Sequence, residues 1–567
     1  MMKKFNKKHL ITLLSFPMIG LLMIVSTAWQ PADENRYFKI SKNFDILHSL
    51  FRELDTYYVD SVDIDDVFKD AVDGMLSSYD PYTEYIPSDE LGDLKFMTTG
   101  EYGGIGAVIA SRNGHIYINE PYENMPAHKA GLLFGDEILE IDGNKLEGKE
   151  TSYASDLLRG QPGTEVGLLI SREGVKKPFK KNIVRELIQI DQVQYYGMIA
   201  PKIGYIFLSS FTDKSAAEVG RALKNLKEQG AEKMILDLRN NGGGLLTEAV
   251  SICNYFVGKG ETIVSTRSRN NKLNEVYKTS KPALDSEMPL VIITNSLSAS
   301  ASEIVSGAMQ DLDRAVILGG RTFGKGLVQR TLELPYDGIV KVTTAKYYIP
   351  SGRCIQAIDY SNRNEDGSVG RIPDSLTTVF HTRIGREVRD GGGIRPDVLI
   401  TDSTFSNLSY KLATGTYFFD YANAYFRKHP KIAPIESFTL SDEEYNDFCQ
   451  YVVSTGVEYD KLSKQKINEL KSALKLEGYY KDVQEELNNL ERKLDKNLEY
   501  DLQYFRKEIE PMLAQEIVLR YYYQKGEIQQ SLKDDEYTKK AIEILSDMDL
   551  YHSYLKPSIS ENQRNSE

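Results

Sequence analysis

Hydrophobic residues recur at different spacings along this chain, and the changes in spacing divide it into units. Over residues 42–76 they recur every three or four positions, as at Phe44 and Leu47, and this spacing predicts amphipathic helices. Over residues 88–186 short apolar runs alternate with glycine turns, which predicts a small β-rich unit. One short helix is predicted inside that unit, at residues 152–158.

Strands and helices alternate over residues 188–398. The run LVIIT at residues 290–294 is continuously apolar up to its last residue, and a helical pattern follows it at residues 301–312. Near-continuous apolar strands that alternate with helices are typical of a largely parallel sheet covered by helices. This stretch therefore predicts an α/β core.

After about residue 401 the pattern becomes helical again. Ile467, Leu470 and Leu474 lie on one stripe among lysines and glutamates, which predicts a charged helical appendage used for packing and oligomerisation. The predicted fold class is an α/β core with a mostly parallel sheet, a small β-rich domain, an N-terminal helical segment and a C-terminal helical appendage. The predicted domain limits are 1–28, 29–87, 88–186, 187–400 and 401–567.

Composition disfavours several classes of function. The chain has 69 basic and 82 acidic residues, a net charge of -13, which argues against a nucleic-acid partner. Its three cysteines, Cys253, Cys354 and Cys449, have no CxxC spacing, so neither a zinc knuckle nor a dense disulfide framework is expected. The sequence also lacks an HExxH motif. We therefore expect no metal or organic cofactor.

The N-terminus resembles an export signal. Four lysines precede an apolar run at residues 10–25, and the small residues Ser26, Thr27 and Ala28 follow it. We expect cleavage after Ala28 and an extracytoplasmic location, in a bacterial periplasm or cell envelope. An uncleaved segment that anchors the protein to the inner membrane is the alternative, and it would be the only membrane contact.

The segment NSLSASASE contains the candidate nucleophile. Ser300 directly precedes the helix predicted from about Ala301, so its hydroxyl would lie near unpaired N–H groups and the positive end of the helix dipole. These features stabilise the oxyanion that forms when a carbonyl is attacked. A serine here can also be an ordinary N-cap, and we assign that role to Ser302.

A lysine between two glycines, in TFGKGLVQ, is the candidate base. Lys325 would act as a base only when neutral, which requires burial to lower its pKa well below about 10; apolar neighbours such as Leu327 fit such a pocket. A solvated turn lysine is the alternative. Gln329, on the predicted strand that follows, is placed to hydrogen-bond the amine and orient it.

The segment DLRNNGGG is a candidate oxyanion hole. Asp237 ends a predicted strand and three glycines open a helix, so bare N–H groups would face a cavity at the carboxyl end of the sheet. Either Gly243 or Gly244 would then act as a donor beside the N–H of Ala301. Glycine-rich turns of this kind also bind phosphate.

Two other arrangements are weaker. Gly319, Gly324 and Lys325 match the start of a nucleotide-binding GxxxxGK loop, but Gly326 stands where that loop needs serine or threonine. His381 has no convincing acidic partner nearby in the sequence, so a serine–histidine pair is not favoured.

The β-rich unit contains a candidate recognition loop. The segment EYGGIGAVI places Gly103, Gly104, Ile105 and Gly106 before a predicted strand. Their N–H groups would hold a peptide's terminal carboxylate while the peptide adds to the sheet as a strand. A purely structural barrel is the alternative.

Several motifs, taken in order, resemble those of the C-terminal processing peptidases, also called tail-specific proteases. The resemblance covers residues 43–398 and is carried by GMLSSYDPYTEY, AGLLFGDEILEIDG, DLRNNGGG, SASASE, TFGKGLVQ and SGRCIQ. It implies a serine–lysine peptidase that cuts near protein C-termini and a PDZ domain that binds the substrate tail. It also implies Ser300 as nucleophile, Lys325 as base and Gln329 as the glutamine of KGxxQ, with Ala301 and the glycine turn as oxyanion donors. Cys354 departs from the aliphatic or small residue usual in SGRCIQ.

We therefore expect an exported serine endopeptidase, with homo-oligomers as an open alternative. Its partners would be proteins or peptides with free, apolar C-termini. The competing hypothesis is a catalytically inactive PDZ-containing protein that binds the tails of exported proteins.

Overall fold

The computed structural model describes residues 32–363, 368–401, 405–459 and 461–557. The predicted export segment, residues 1–28, lies outside them. The chain forms two compact units, one up to Tyr85 and one from Ile86 onward. The described part of the first unit contains helices α1 (Ala32–Tyr57) and α2 (Ile64–Leu76) and leads into the short strand β1 (Glu84–Ile86). These helices agree with the three- and four-residue spacing of apolar positions.

The second unit begins with helix α3 (Leu91–Thr99) and the β-rich domain. The strands of this domain are β2 (Glu101–Gly104), β3 (Ala107–Arg112), β4 (His115–Pro121), β5 (Glu137–Ile141), β6 (Asn144–Lys145), β7 (Glu165–Ser171), β8 (Phe179–Val184) and β9 (Glu186–Gln189). Its helices are α4 (Pro126–Lys129) and α5 (Thr151–Leu158). Strands β3, β4, β5, β7 and β8 form one antiparallel sheet in that order. Alternate residues of β7 are buried in its core, as the period of two in a strand requires.

The α/β core follows. Its helices are α6 (Ser215–Glu228), α7 (Leu246–Phe256) and α8 (Ala301–Asp311). Its strands are β10 (Val193–Ala200), β11 (Ile203–Leu208), β12 (Lys233–Asp237), β13 (Thr262–Arg267), β14 (Glu275–Lys278), β15 (Leu290–Thr294), β16 (Val316–Gly319), β17 (Leu327–Glu333), β18 (Ile339–Tyr348), β19 (Ile358–Arg363), β20 (Val369–Arg371), β21 (Val379–His381), β22 (Glu387–Arg389) and β23 (Val398–Leu399).

The central sheet confirms the prediction of a largely parallel arrangement. Its strand order is β10-β11-β12-β15-β16-β23. All neighbours are parallel except β10, which pairs antiparallel with β11. Strands β17, β18, β13 and β14 pair antiparallel in that order in a second sheet, which carries the residues that follow Lys325.

The C-terminal region is helical, as predicted. Its helices are α9 (Asn407–Thr414), α10 (Tyr417–Lys428), α11 (Asp442–Ser454), α12 (Leu462–Glu477), α13 (Gln484–Leu494), α14 (Leu498–Tyr504), α15 (Arg506–Ser531), α16 (Glu536–Ser546) and α17 (Met548–Tyr554). Among the described residues, no helix is both long and apolar enough to cross a membrane.

The central sheet is covered on both faces, and the C-terminal region supplies one of the covers. Helices α6, α7 and α8 pack on one face. On the other face, Ile235, Val291 and Val316 of the sheet pack against Ile544 and Leu545 of α16. The last two helices are therefore a layer of the core rather than an appendage to it. Sequence periodicity predicts the apolar face of a helix, but it does not indicate which surface that face will cover.

Replacing Leu545 by alanine should destabilise the fold because it opens a cavity against the sheet. Leu545 is fully buried, so we expect the free energy of unfolding to fall by about 2–5 kcal/mol. Leu476→Ala is the matched control, since Leu476 is 91% exposed and its loss should change stability by less than about 0.5 kcal/mol. Denaturant titration of both variants measures the difference. Equal effects would show that α16 does not stabilise the sheet.

Candidate active site

A cleft of about 810 Å³ lies where loops leave the carboxyl ends of the central strands. Strand β12 leads into the glycine turn, and β15 leads into the serine segment. Gly243, Gly244, Ser300, Lys325 and Gln329 all line this cleft. The structure thus brings together predicted site residues from three separate stretches of the chain.

Ser300 occupies a strained turn between β15 and α8. Its φ and ψ are 55° and -113°, in a region that residues other than glycine rarely adopt. It is the N-cap residue of α8, and it lines the cleft. The assignment of the cap to Ser302 is wrong. Ser302 is the second residue of the helix, fully buried, and its hydroxyl donates to the carbonyl of Asn241 at 2.9 Å.

The carboxylate of Glu303 joins the serine segment to the lysine segment. It is fully buried and accepts four hydrogen bonds. The donors are the N–H of Ser300 at 2.9 Å, the hydroxyl of Thr322 at 2.6 Å, and the N–H groups of Gly324 and Lys325 at 2.8 Å each. Both candidate catalytic residues are therefore fixed through their backbones by one side chain.

Glu303 lies in the first turn of α8, and none of the predictions above assigns it a function. A signal was available: a glutamate three residues after an N-cap serine is the pattern of a capping box, in which the carboxylate returns to the N–H of the cap. The structure shows this return bond to Ser300. The bonds to Thr322 and Gly324 are long-range and have no local signature.

The Lys325 segment approaches its neighbours closely enough to require both flanking glycines. A Cβ on Gly324, where φ is +91°, would lie 2.3 Å from the Cβ of Ala357, and one on Gly326 would lie 2.8 Å from the Gln356 nitrogen. Lys325 itself is half-buried. The strand β17 follows it, so the helix that a nucleotide-binding GxxxxGK loop requires is replaced by a strand.

Tyr347 forms a second link between the two candidate catalytic residues. Its hydroxyl donates to the carbonyl of Lys325 and lies 3.2 Å from the carbonyl of Ser300. Tyr347 is on β18 and only 1% exposed. It had no signal in the sequence, because it is an ordinary buried position of a strand.

Gln329 lies on β17, in the wall of the cleft. Its side-chain nitrogen donates to the hydroxyl of Thr343 at 3.0 Å. His381, the alternative base, is exposed on β21 and does not line the cleft.

The glycine turn packs directly against Ser300. A Cβ on Gly243 would lie 2.7 Å from the Cβ of Ser300 and 2.9 Å from the nitrogen of Ala301, so only glycine fits. The Gly243 N–H already donates to Oδ1 of Asn241 at 2.9 Å. The N–H of Ala301, at the first position of α8, is beyond the reach of any intrahelical carbonyl. In this arrangement the Gly243 N–H would have to break its hydrogen bond to Asn241 before it could act as an oxyanion donor. The N–H groups of Ala301 and Gly244 would not have to break this bond.

A second groove of about 330 Å³ lies in the β-rich domain, between β3 and α5. Its lining residues include Gly104, Ile105, Ala107, Ile109, Ser155 and Leu158. Gly103 and Gly104 belong to β2, which pairs with β9, so the loop beside the groove is shorter than predicted and begins at Ile105. A Cβ on Gly103 would lie 2.1 Å from the Gly160 carbonyl oxygen, and Gly106 has a φ of +71°. Phe96 of α3 lines both this groove and the cleft.

Family models match three parts of the chain: peptidase family S41 at residues 202–361, a PDZ domain at residues 103–183, and a probable PDZ-protease C-terminal helical domain at residues 408–545. A carboxy-terminal-processing protease of Bartonella bacilliformis is 39% identical over 345 residues, which cover 60% of this chain and 77% of that protein. This chain belongs to the carboxy-terminal-processing proteases.

A probable CtpA-like serine protease of Staphylococcus aureus is 31% identical, over 76% of this chain and 85% of its own length. A solved photosystem II D1 C-terminal processing protease is 26% identical and aligns with 62% of this chain and 91% of its own, with a TM-score of 0.34. The family membership confirms the resemblance that the motifs indicate. The protein is thus a protease of this family with a PDZ domain.

Replacing Glu303 by glutamine should disorder the cleft. The amide would place N–H donors against N–H groups that now donate to the carboxylate. We expect the free energy of unfolding to fall by about 1–3 kcal/mol and proteolysis of a peptide to fall by more than about 100-fold.

The free energy of unfolding of the wild type and of Glu303→Gln should also depend differently on pH. Burial raises the pKa of Glu303 from 4.5 to about 7, so the folded state binds this proton more tightly than the unfolded state. Proton binding by Glu303 therefore contributes about 3 kcal/mol to the free energy of unfolding below about pH 4.5. This contribution is lost as the pH rises through 7. Between pH 5 and 7 the wild type should therefore lose more stability than Glu303→Gln, which does not titrate. If the free energies of unfolding of the wild type and Glu303→Gln changed equally with pH, Glu303 would not be the group whose pKa is raised.

Glu248→Gln is the matched control. Glu248 is the third residue of α7, as Glu303 is of α8, and its carboxylate accepts the N–H of Ala216 at 2.9 Å. Glutamine retains a carbonyl oxygen for that single bond, so activity should be unchanged.

Proposed function

We propose that this protease is an exported serine endopeptidase that binds substrate C-termini in its PDZ groove and hydrolyses peptide bonds with Ser300 and Lys325. The observation that carries the proposal is their meeting in one cleft, with both backbones bonded to Glu303. We propose export, to a periplasm or cell envelope, from the N-terminal segment alone. The same segment, if uncleaved, would be the membrane contact.

The reaction begins when the Ser300 hydroxyl attacks the carbonyl carbon of the scissile amide. Neutral Lys325 takes the hydroxyl proton, and the developing oxyanion accepts hydrogen bonds from the N–H groups of Ala301 and the glycine turn. Lys325 then gives its proton to the leaving amine, and an acyl-enzyme remains. Water, deprotonated by Lys325, attacks the ester. Collapse of the second tetrahedral intermediate releases the acid, and Lys325 returns its proton to the departing Ser300 oxygen.

The surroundings of Lys325 support its role as a base. Ile304, Leu327 and Val328 line the same cleft, and partial burial among apolar groups favours the neutral form of an amine. Gln329 supports this role as well. Its nitrogen is held by Thr343, so the acceptor left on its side chain is the oxygen, which suits an N–H of the lysine.

The PDZ groove supports recognition of apolar tails. Ile105, Ile109 and Leu158 supply an apolar lining, and the loop that follows β2, at Ile105 and Gly106, supplies backbone N–H groups for a terminal carboxylate. Since Phe96 lines both the groove and the cleft, a tail held in one lies near the entrance to the other. Assembly into homo-oligomers is an additional proposal from the sequence.

Ser300→Ala and Lys325→Ala should each lower cleavage by more than about 1,000-fold, because each removes one partner of the proton transfer. Lys325→Arg should be equally inactive, since arginine keeps the charge but does not act as a base. The control is Ser296→Ala, an exposed serine in the same loop, which should retain full activity.

Mass spectrometry of an unfolded, apolar-tailed protein before and after incubation measures the rate and locates the cut. A fluorophosphonate probe should label the wild type at Ser300. Full activity in either alanine variant overturns the mechanism, and a wild type that neither cleaves nor labels supports an inactive binding protein.

Amidating the C-terminus of a peptide substrate should lower kcat/KM by about 10-fold or more, mainly through KM, because charge-assisted hydrogen bonds to the carboxylate are lost. Ser155→Trp, which fills the groove, should make cleavage insensitive to amidation. Asp156→Trp is the control, since Asp156 is the next residue of α5 but is exposed and does not line the groove. Equal rates for acid and amide in the wild type would exclude tail recognition by the carboxylate.

A further inference from the structure

Arg239, in the segment that leads to the glycine turn, is held between two carboxylates. Asp237, at the end of β12, accepts from Nη2 at 2.6 Å. Asp535, at the start of α16, accepts from Nη1 at 2.8 Å and from Nη2 at 2.9 Å. Two parallel bonds of this kind fix the orientation of a guanidinium as well as its position. Asp535 lies 296 residues further along the chain, in the C-terminal helical domain.

The surroundings of this ion pair are mostly buried. Asp237 is fully buried and also accepts the hydroxyl of Tyr205 at 2.7 Å. The side chains of Arg239 and Asp535 are 19% and 15% exposed, and the ring of Tyr537 lies 4.9 Å from the guanidinium carbon. Removing one partner of a buried ion pair leaves the other charge uncompensated, which disturbs the local structure more than the loss of an exposed pair.

The chain that Arg239 anchors runs directly to the candidate oxyanion hole. The N–H of Asn240 donates to Oδ1 of Asn295 at 3.0 Å, and Gly243 then packs against Ser300. The Arg239 side chain is therefore one of the contacts that fix this short segment. The N–H of Leu238, which donates to the carbonyl of Ile293 at 2.9 Å, and the carbonyl of Asn241, which accepts the N–H of Ala299 at 3.0 Å, are others. One of its two carboxylate partners comes from outside the peptidase core.

We infer that Asp535 is a positioning residue for the protease reaction: through Arg239 it fixes the glycine turn whose N–H groups stabilise the oxyanion. The inference rests on the proposed function. It assigns the C-terminal helical domain a part in catalysis in addition to covering the sheet. Asp535 itself does not touch the substrate, so its effect appears in the turnover step and not in substrate binding.

The test must separate this role from helix capping, because Asp535 is also the N-cap of α16 and accepts the N–H of Thr538 at 2.9 Å. Asp535→Asn keeps the shape and the cap but removes the charge, since asparagine is as good an N-cap as aspartate. The matched control is Asp547→Asn. Asp547 caps α17 in the same domain and accepts two N–H groups of its own helix at 3.0 Å each.

For Asp535→Asn we expect kcat on an apolar-tailed peptide to fall about 10- to 100-fold. This is smaller than the fall of about 100- to 1,000-fold expected when an oxyanion donor is removed outright. The Kd of the same peptide, measured in the Ser300→Ala background, should be unchanged. Asp547→Asn should leave both quantities as in the wild type. A double-mutant cycle with Arg239→Gln should show that Asp535→Asn has no further effect once the guanidinium is gone.

Each result decides the inference. An unchanged kcat overturns it, as does a loss that is fully additive with Arg239→Gln, or a loss matched by Asp547→Asn. A fall in kcat at constant Kd that disappears in the Arg239→Gln background establishes it. A wild type that does not cleave the peptide overturns the proposed function and the inference together. If the wild type cleaves the peptide and Asp535→Asn cleaves it at the same rate, only the inference is overturned.

Discussion

The carboxylate of Glu303 receives hydrogen bonds from both loops that meet in the cleft, and the geometry of the site depends on this convergence. Burying a carboxylate is unfavourable unless its oxygens are hydrogen-bonded, and here four donors satisfy it. The same bonds hold Ser300 in a backbone conformation that by itself costs about 1–3 kcal/mol. The backbones of Ser300 and Lys325, which come from different loops, are therefore held close together, because both of their N–H groups donate to the same carboxylate.

The central sheet positions the loops that form the cleft. Its parallel strands all direct their carboxyl ends toward the cleft, and the loops that follow β12 and β15 carry the glycine turn and Ser300. Helices pack on both faces of the sheet, so the strand ends have little freedom to shift. The C-terminal domain contributes twice to this positioning, through the apolar face of α16 and through the bonds of Asp535 to Arg239.

Local patterns predicted much of this arrangement. The continuously apolar run at β15 indicated a strand buried on both faces, and α8 begins at Ala301, as the sequence indicated. Four serines stand at alternate positions before Glu303, and only Ser300 has the capping-box spacing to that glutamate, so the sequence held the signal that identifies the cap. The partners of Glu303 and the pairing of Asp535 with Arg239 are long-range contacts, and no local spacing encodes them.

The order of these elements along the chain has a consequence for biosynthesis. Ile235, Val291 and Val316 lie on the face of the sheet that Ile544 and Leu545 cover, and ribosomes make these strands long before the covering helix. Until α16 emerges, that apolar face is exposed to water and Arg239 lacks one of its two carboxylate partners. The nascent chain therefore exposes this apolar face, and the segment before the glycine turn lacks one of its contacts, until α16 has been made.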